Sequence, residues 1–157
     1  MPFIHLTTFI KAPQQRLFDL SRSISLLKLS MEQYDARAVA GVTSGLLEPG
    51  ETVTWQGRYF FKTRVFTTKI SAMQQSDFFE EEMTEGAFKM LRHRHFFKAA
   101  DNGTFLIDTL EFETPYAMLG KWINRLFLTD YVKKLLEKRN AFLLEYAETE
   151  KWQTILY

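Results

Sequence analysis

The sequence contains no cysteine, only 7 glycines and 4 prolines among 157 residues, and no long uninterrupted run of apolar side chains. Without cysteine the chain forms no disulfide, offers no thiol nucleophile and builds no zinc site on sulfur ligands, which fits a reducing compartment. No run approaches the roughly 20 apolar residues that span a bilayer. The opening segment MPFIHLTTFIK also lacks the basic and apolar regions of a secretory signal. We therefore expect a soluble, cytoplasmic protein without stable membrane insertion.

The chain also lacks an excess of charge of either sign, because 20 basic and 19 acidic residues give a formal net charge of +1. Affinity for nucleic acid comes largely from clustered positive charge, so we expect no nucleic-acid partner. The glycine patterns that cradle phosphates, G-x-G-x-x-G and G-x-x-x-x-G-K-[ST], are absent, and so is the G-x-S-x-G turn that presents a catalytic serine. These absences argue against nucleotide-binding and serine-hydrolase functions, and we expect no cofactor.

Aromatic residues are abundant, because 15 Phe, 6 Tyr and 3 Trp make up 15% of the chain. So much ring surface suits either a dense core or a roomy apolar pocket. The length fits one domain, and a hydrophobic fraction of 46% with a charged fraction of 25% is ordinary for a globular protein. No internal repeat, low-complexity tract or linker divides the sequence. We therefore expect residues 1–157 to form a single domain.

Hydrophobic periodicity and turn residues predict an α+β chain with the order strand, two short helices, six strands and a long helix. Apolar residues at helical spacing between Pro13 and Met31, with an N-cap candidate within 21–23, predict the two short helices. Asn102 followed by Gly103 predicts a hairpin between the last two strands. The strands are predicted at 3–10, 37–47, 52–61, 64–73, 78–83, 88–97 and 104–113.

A stretch at 116–148 contains no proline, and its apolar residues recur at three- to four-residue steps, which predicts one long amphipathic helix. Such a wide apolar stripe needs a large partner surface, and the antiparallel sheet is the one that the chain offers. We therefore expect the helix to lie across the concave face of the sheet, with the short helices closing one end. The stripe is predicted to consist of Ile123, Phe127, Tyr131, Leu135, Phe142 and Tyr146, widened by Leu119, Trp122, Leu128, Val132, Leu136 and Leu143.

Several segments carry a family resemblance: GETVTWQGRYF (50–60), FEEEM (79–83), EGAFKMLRHRHFF (85–97), TFLIDTLEFETP (104–115) and LFLTDYVKKLLEKRN (126–140). Together with the order of elements they resemble bacterial members, of poorly assigned function, of the START-like or SRPBCC superfamily. The resemblance implies a helix-grip fold, in which a curved antiparallel sheet of about seven strands wraps a long C-terminal helix. It also implies an apolar cavity for lipids, sterols, quinones or polyketides, and some members catalyse cyclisation or dehydration. One departure is Leu91, where the family leads us to expect tryptophan.

Two histidines stand two residues apart on a predicted strand, so their side chains point to one face of the sheet. We expect His93 and His95 to face inward, while Arg92 and Arg94 point to the other face. Three interpretations stay open: the histidines satisfy other buried polar groups, they anchor a ligand or shuttle its protons, or they bind a metal. We do not expect a metal, because an H-x-H pair needs a third ligand that the sequence does not place.

Two carboxylates share the inward face with these histidines. Glu81 is predicted to point to the same face of its strand as the apolar residues two positions before and after it. The two flanking glutamates are predicted to face water. Asp108 stands between apolar residues and is costly to bury unless it is paired, and Arg139, which interrupts the helix stripe, is one candidate partner. We hypothesise that four side chains supply most of the polarity of the pocket: Glu81, His93, His95 and Asp108.

Apolar and aromatic side chains are expected to complete the ligand site, and we assign Trp55, Phe97, Tyr131 and Leu135 to it. An aromatic stripe such as the one containing Trp55 is also typical of core packing, and it does not identify a cofactor. Gly57 is predicted to mark a bulge where the sheet bends. The function that we predict first is noncatalytic binding of a hydrophobic small molecule of the lipid, quinone, sterol-like or polyketide-like class.

Two alternatives stay open. One is a polyketide cyclase- or dehydratase-like enzyme in which a histidine of the pair acts as base and Glu81 or Asp108 as acid. The other is a protein-interaction module that uses the basic edge of the long helix and the apolar tail at 150–157. An exposed tail would be an unusual apolar patch, so we expect it either to fold back or to pack on another subunit, and we favour self-association as a homodimer.

Overall fold

The computed structural model describes residues 2–59, 62–113 and 122–156. Its strands, numbered in chain order, are β1 (Phe3–Ile10), β2 (Arg37–Gly41), β3 (Thr52–Tyr59), β4 (Lys62–Gln74), β5 (Phe78–Glu85), β6 (Met90–Ala100) and β7 (Gly103–Glu113). Its helices are α1 (Gln14–Ser21), α2 (Ile24–Ser30), α3 (Trp122–Glu148) and α4 (Gln153–Leu156), with 3₁₀ turns at Glu32–Tyr34 and Glu150–Trp152.

The predicted α+β helix-grip architecture is confirmed. All neighbouring strands pair antiparallel, in the order β1-β7-β6-β5-β4-β3-β2, and the curved open sheet wraps α3. The hairpin predicted at Asn102 and Gly103 joins β6 to β7. Within the part of the chain that the structure describes, no helix has the length and apolar character needed to cross a membrane.

The two short helices follow from local capping and from an apolar face. Pro13 precedes α1 with an extended backbone, and the Ser23 side chain caps α2 by accepting a hydrogen bond from the backbone N–H of Leu26 at 3.3 Å. Leu17 and Phe18 on α1 are fully buried against the interior. The break predicted within 21–23 is therefore where one short helix ends and the other begins.

The second strand is shorter than the predicted 37–47, because β2 ends at Gly41. Gly41 has φ +72°, and a Cβ there would lie 2.3 Å from the Thr52 carbonyl oxygen, so the chain turns away from the sheet. Leu47 instead enters the core, and its N–H donates to the carbonyl of Arg22 at 3.0 Å. Residues 60–61, predicted to end a strand, and 114–121, where the long helix is predicted to begin, lie outside the described residues.

The buried face of α3 differs from the predicted stripe by about one residue. The sequence places Phe127 in the stripe, but its side chain is 58% exposed, so that assignment is wrong. The line of buried residues on α3 includes Asn140, a polar residue that a pattern based on apolar side chains leaves out. The side chains of Leu119, Trp122 and Ile123 lie outside the described part of the structure. The buried residues of the helix are Leu128, Val132, Leu136, Asn140, Leu143 and Ala147.

Gly57 does not mark the predicted bulge, because β3 pairs with β4 in continuous register on both sides of it. The register shifts lie elsewhere, between residues 38 and 40 of β2 and, in β4, between residues 67 and 68 and between residues 70 and 72. A Cβ at Gly57 would come 2.6 Å from the ring of Tyr59. The glycine therefore leaves space for this ring, which stacks on Tyr34 with 5.0 Å between centroids.

The apolar tail folds back on its own chain. Trp152, Ile155 and Leu156 are partly buried against the main core. The guanidinium of Arg16 on α1 lies 4.2 Å from the centre of the Trp152 ring. This is one of the two outcomes predicted for the tail, and it covers the apolar side chains without a second subunit. The predicted homodimer remains a prediction.

Candidate functional site

A cavity of about 250 Å³ lies between α3, the sheet and the turn that follows α2. Its walls are mostly apolar, and the residue at position 91 is one of them, so the leucine that replaces the expected tryptophan leaves part of this space open. The apolar side chains that line it include Met31, Phe66, Met83, Phe88, Leu91 and Leu135.

A layer of polar side chains forms one end of this cavity, and the pairing of β5, β6 and β7 explains why. Glu81 lies opposite His93, and both line the cavity. One step along the strands, His95 lies opposite Asp108, and both side chains are completely buried beneath the cavity wall. The alternation of the strands therefore places all four predicted polar residues on the inward face. We call these four side chains, with Arg139 and Asn140 of α3, the polar layer.

Asp108 is the centre of the polar layer. Its Oδ1 atom lies 2.8 Å from His93 Nε2 and 3.1 Å from His95 Nδ1, so an ionised carboxylate accepts a hydrogen bond from each ring. Its Oδ2 atom accepts a hydrogen bond from Asn140 Nδ2 at 2.7 Å. Arg139, the partner proposed from the sequence, comes within 3.9 Å of Oδ1. The carboxylate is therefore held mainly by the two histidines and the asparagine.

His95 is left with one unused ring nitrogen. Its Nε2 atom is buried and has no hydrogen-bond partner among the described residues, and the nearest carboxylate oxygen, Glu81 Oε2, lies 3.8 Å away. The ring is held between Phe79, stacked at 4.2 Å between centroids, and His93, at 3.8 Å. Packing thus fixes the direction in which this nitrogen points.

The charges of the polar layer follow from these contacts. Burial alone would raise the pKa of Glu81, but contact with His95 and the positive charge of Arg139 lower it to about 2. Burial and the neighbouring His95 lower the pKa of His93 to about 4. The pKa of Asp108 lies well below its usual value because hydrogen bonds from the two histidines outweigh burial. At neutral pH both carboxylates are therefore ionised and His93 is neutral.

The outer face of the same strands carries a ladder of ion pairs. Arg94 Nε donates to Glu80 at 2.7 Å, and Arg92 Nε donates to Glu82 at 3.1 Å. Both arginines are 37% exposed, whereas the Glu80 side chain is only 13% exposed because they cover it. The predicted outward direction of the arginines and of these glutamates agrees with this arrangement.

The structure separates the eight residues that the sequence assigned to the ligand site. Glu81, His93 and Leu135 line the cavity. His95 and Asp108 lie beneath its wall. Trp55 and Phe97 belong to the packed core and not to the cavity, and Tyr131, one turn before Leu135, is not among the lining residues. Alternation gave the face of each strand, but it could not give the position along the strand at which the packed core ends.

Two features of the site were missed. Asn140 interrupts the apolar stripe of α3 four residues after Leu136, and this break was the available signal for a buried polar contact. The wall formed by Met31, Tyr34 and Tyr59 depends on how the turn after α2 meets β3, for which the sequence offered no signal.

The chain matches no protein-family model and no curated protein. Solved structures resemble it over nearly its whole length. The protein TTHA0849 from Thermus thermophilus is 20% identical, with 98% of each chain covered and a TM-score of 0.67. A START superfamily protein from Mycobacterium smegmatis is 13% identical, with 93% of this chain and 97% of that chain covered and a TM-score of 0.71. The Zhui aromatase/cyclase from Streptomyces sp. R1128 is 14% identical, with coverages of 94% and 93% and a TM-score of 0.75. These likenesses show that the chain has the START-like helix-grip fold.

Proposed function

We propose that the protein binds a small hydrophobic molecule in the cavity between α3 and the sheet. The observation that carries this proposal is a mostly apolar space of about 250 Å³ that ends on a few fixed polar groups. Binding sites for small molecules commonly combine these two properties. Apolar surface that leaves water contributes roughly 25 cal/mol per Å², so the walls supply affinity and the polar layer supplies orientation.

The size and polarity of the cavity narrow the class of ligand. Pockets for drug-sized molecules usually measure about 300–1,000 Å³, so a small ring system or a short acyl chain fits this cavity better than a whole sterol. Arg139, His93 and Glu81 are among the polar side chains that line the cavity and would contact the ligand. A quinone or a polyketide-like ring with an oxygen at one end and an apolar body suits this arrangement.

The proposal is tested with 8-anilinonaphthalene-1-sulfonate, whose fluorescence rises in apolar sites. Leu91→Trp places a bulky indole ring in the cavity and reduces the space for the dye, so the affinity for the dye should fall at least about tenfold. The free energy of unfolding should not fall, because the new side chain enters open space. Phe105→Trp is the matched control, since Phe105 lies on β7 with its side chain 40% exposed.

Equal dye affinity in the two tryptophan variants would contradict the proposal, because the dye would then bind elsewhere. Native mass spectrometry of the purified protein supplies a second readout. A copurified quinone, lipid or polyketide would name the ligand class, and it should be lost in Leu91→Trp.

One observation favours catalysis as a second candidate function: a neutral His93 at the cavity wall is hydrogen-bonded to an ionised, buried Asp108 at 2.8 Å. This pair is suited to general-base chemistry. The acid role first considered for Glu81 or Asp108 is not supported, because the pKa of each is lowered and both are ionised at neutral pH.

Deuterium exchange next to the carbonyl of 2-tetralone, a bicyclic ketone of suitable size, tests this candidate by NMR. A general base at position 93 should accelerate the exchange in the wild-type protein, and His93→Gln should abolish the acceleration while dye binding persists. No acceleration by the wild-type protein would leave binding as the function.

A further inference from the structure

Three side chains of the polar layer lie close enough together to hold a metal ion. Glu81, His93 and His95 each offer one ligand atom, and these atoms all lie within 4.8 Å of one another. Glu81 stands directly opposite His93 on the neighbouring strand, and His95 follows on the same face. The register of β5 and β6 therefore supplies the third ligand that the H-x-H spacing lacked.

The orphan nitrogen of His95 is the second observation that points to a cation. Its Nε2 atom is buried with no hydrogen-bond partner among the described residues, and in the tautomer whose Nδ1 atom donates to Asp108, 3.1 Å away, this Nε2 atom carries a lone pair. Its nearest charged neighbour, Glu81 Oε2 at 3.8 Å, is also an acceptor. In that tautomer two acceptors face each other across this distance, and a cation between them would satisfy both.

Asp108 orients both histidines as ligands. Histidines that bind metals usually donate their second ring nitrogen to a carboxylate, which fixes the tautomer and the direction of the lone pair. Here one carboxylate oxygen lies 2.8 Å from His93 Nε2 and 3.1 Å from His95 Nδ1, so the tautomers that donate to it leave Nδ1 of His93 and Nε2 of His95 as the lone-pair nitrogens. Asn140 holds the other oxygen of Asp108 at 2.7 Å.

We propose that Glu81, His93 and His95 bind one divalent ion of the zinc class. Two histidines and one glutamate form a known ligand set for zinc with an open fourth position. Bond lengths of about 2.0–2.2 Å place tetrahedral ligand atoms about 3.3 Å apart. The separation between His95 Nε2 and Glu81 Oε2 is 3.8 Å and all three ligand atoms lie within 4.8 Å of one another, so side-chain shifts of up to about 1.5 Å would bring them to that separation. The charge also fits, because two carboxylates outnumber the single guanidinium of Arg139.

The fourth position opens toward the cavity, because Glu81 and His93 form part of its wall. It would accept water or an oxygen of a molecule bound in the cavity. Metal binding itself requires only the three side chains, so it is independent of the identity of the hydrophobic ligand.

The test is calorimetric titration of the full, chelator-treated chain with zinc chloride and no organic ligand. We expect one zinc ion per chain, with affinity reduced at least about tenfold by Glu81→Gln and by His93→Gln. Glu82→Gln on the outer face and His5→Gln on β1 are the matched controls, because both side chains lie away from the polar layer. They should leave the affinity within about twofold of wild type.

Cobalt(II) provides a spectroscopic readout of the same site. Wild-type protein should give the intense visible absorption of a tetrahedral ion, and Glu81→Gln should remove it. Glu81→Gln is nearly isosteric at the cavity wall, so it carries the test even if His93→Gln fails to fold. The absence of saturable zinc binding, or binding that is lost in His5→Gln and kept in Glu81→Gln, would overturn the proposal while leaving the cavity proposal untouched.

Discussion

The two ends of the interior share one sheet and one long helix, yet one end is closely packed and the other borders a cavity. At the packed end, Phe18 meets Phe79 and Phe97 edge-on, with centroids 5.8 and 5.3 Å away, and all three rings are at most 2% exposed. At the other end, Phe66 and Phe88 are only partly buried and line the cavity. The polar layer separates the two ends.

The difference arises from what reaches the sheet beside α3. At the packed end α1 inserts Leu17 and Phe18, and α2 adds Ile24, so the space is occupied. At the cavity end the walls come from the sheet, from α3 and from the turn after α2, and a smaller buried cluster that includes Phe112 packs behind Phe88 and Leu91. Local stability need not be uniform. This comparison indicates that the packed end provides most of the stability and leaves the cavity end available for a ligand.

The largest expected effect compares one residue type at the two ends. Phe79→Ala should lower the free energy of unfolding by about 4 kcal/mol, because it opens a void in a closely packed core. Phe88→Ala should lower it by less than about 2 kcal/mol, because Phe88 already borders open space. Urea denaturation of both variants measures the difference. Equal losses would remove the distinction between the two ends.

The polar layer should be nearly as important for stability as the packed core. Asp108→Asn keeps the shape but removes the charge that holds two histidines, and it removes one of the two carboxylates near Arg139. Removing one partner of a buried ionic group typically costs about 3–5 kcal/mol, and because asparagine keeps an acceptor we expect about 3 kcal/mol. A loss below about 1 kcal/mol in the same urea experiment would mean that the layer is not a structural unit.

The neutral state of His93 makes stability depend on pH. Its pKa is about 4 in the folded chain against an ordinary value of 6.5. The unfolded chain therefore takes up the proton first as the pH falls, so this stabilisation is present above pH 6.5 and is lost between 6.5 and about 4. The full loss corresponds to about 3 kcal/mol.

His93→Gln should flatten the dependence in that window, and His5→Gln should not. The measurement is the unfolding free energy of the three proteins at several pH values between 4 and 7. A wild-type profile that already matches that of His93→Gln would show that the histidine does not titrate as described. Losses below about pH 5 also contain the carboxylates with lowered pKa values, Glu81 and Asp108, which become protonated in the unfolded chain first.

The smallest effect is expected on the outer face of the same strands. Glu80→Gln breaks contacts with Arg92 and Arg94, which are 37% exposed, so the unfolding free energy should fall by less than about 1 kcal/mol. High salt should weaken the effect further, because solvent ions screen exposed pairs. Thermal unfolding at low and high salt measures it. A loss as large as that of Asp108→Asn would contradict the contrast between the two faces.

Much of the fold was predictable because it depends on periodicity and turn residues. Alternation on β6 placed His93 and His95 inward and their arginine neighbours outward, and Asn102 with Gly103 marked the last hairpin. The early end of β2 was not predictable from hydrophobicity, because it depends on the approach of Gly41 to the Thr52 carbonyl.

The sequence predicted which face of the sheet carries the site, but it did not predict how far along each strand the site lies. The alternation of side chains along the strands placed Glu81, His93, His95 and Asp108 on one face. The same pattern led us to assign Phe97 to the ligand site, although this ring belongs to the packed core. How far the core extends along a strand depends on which helix side chains reach it, which is a tertiary property. That Glu81 stands directly opposite His93 was not predictable, because it depends on the register between two strands.

The most direct test of the central claim is an NMR titration of the labelled protein with 1-naphthol, a small aromatic molecule that fits the cavity. The account predicts saturable shifts of the side-chain signals of Met83 and Leu91, with the signals of Phe18 and Phe79 unchanged. Shifts centred on the packed rings or scattered over the outer face of the sheet, or no saturable shift at all, would contradict it.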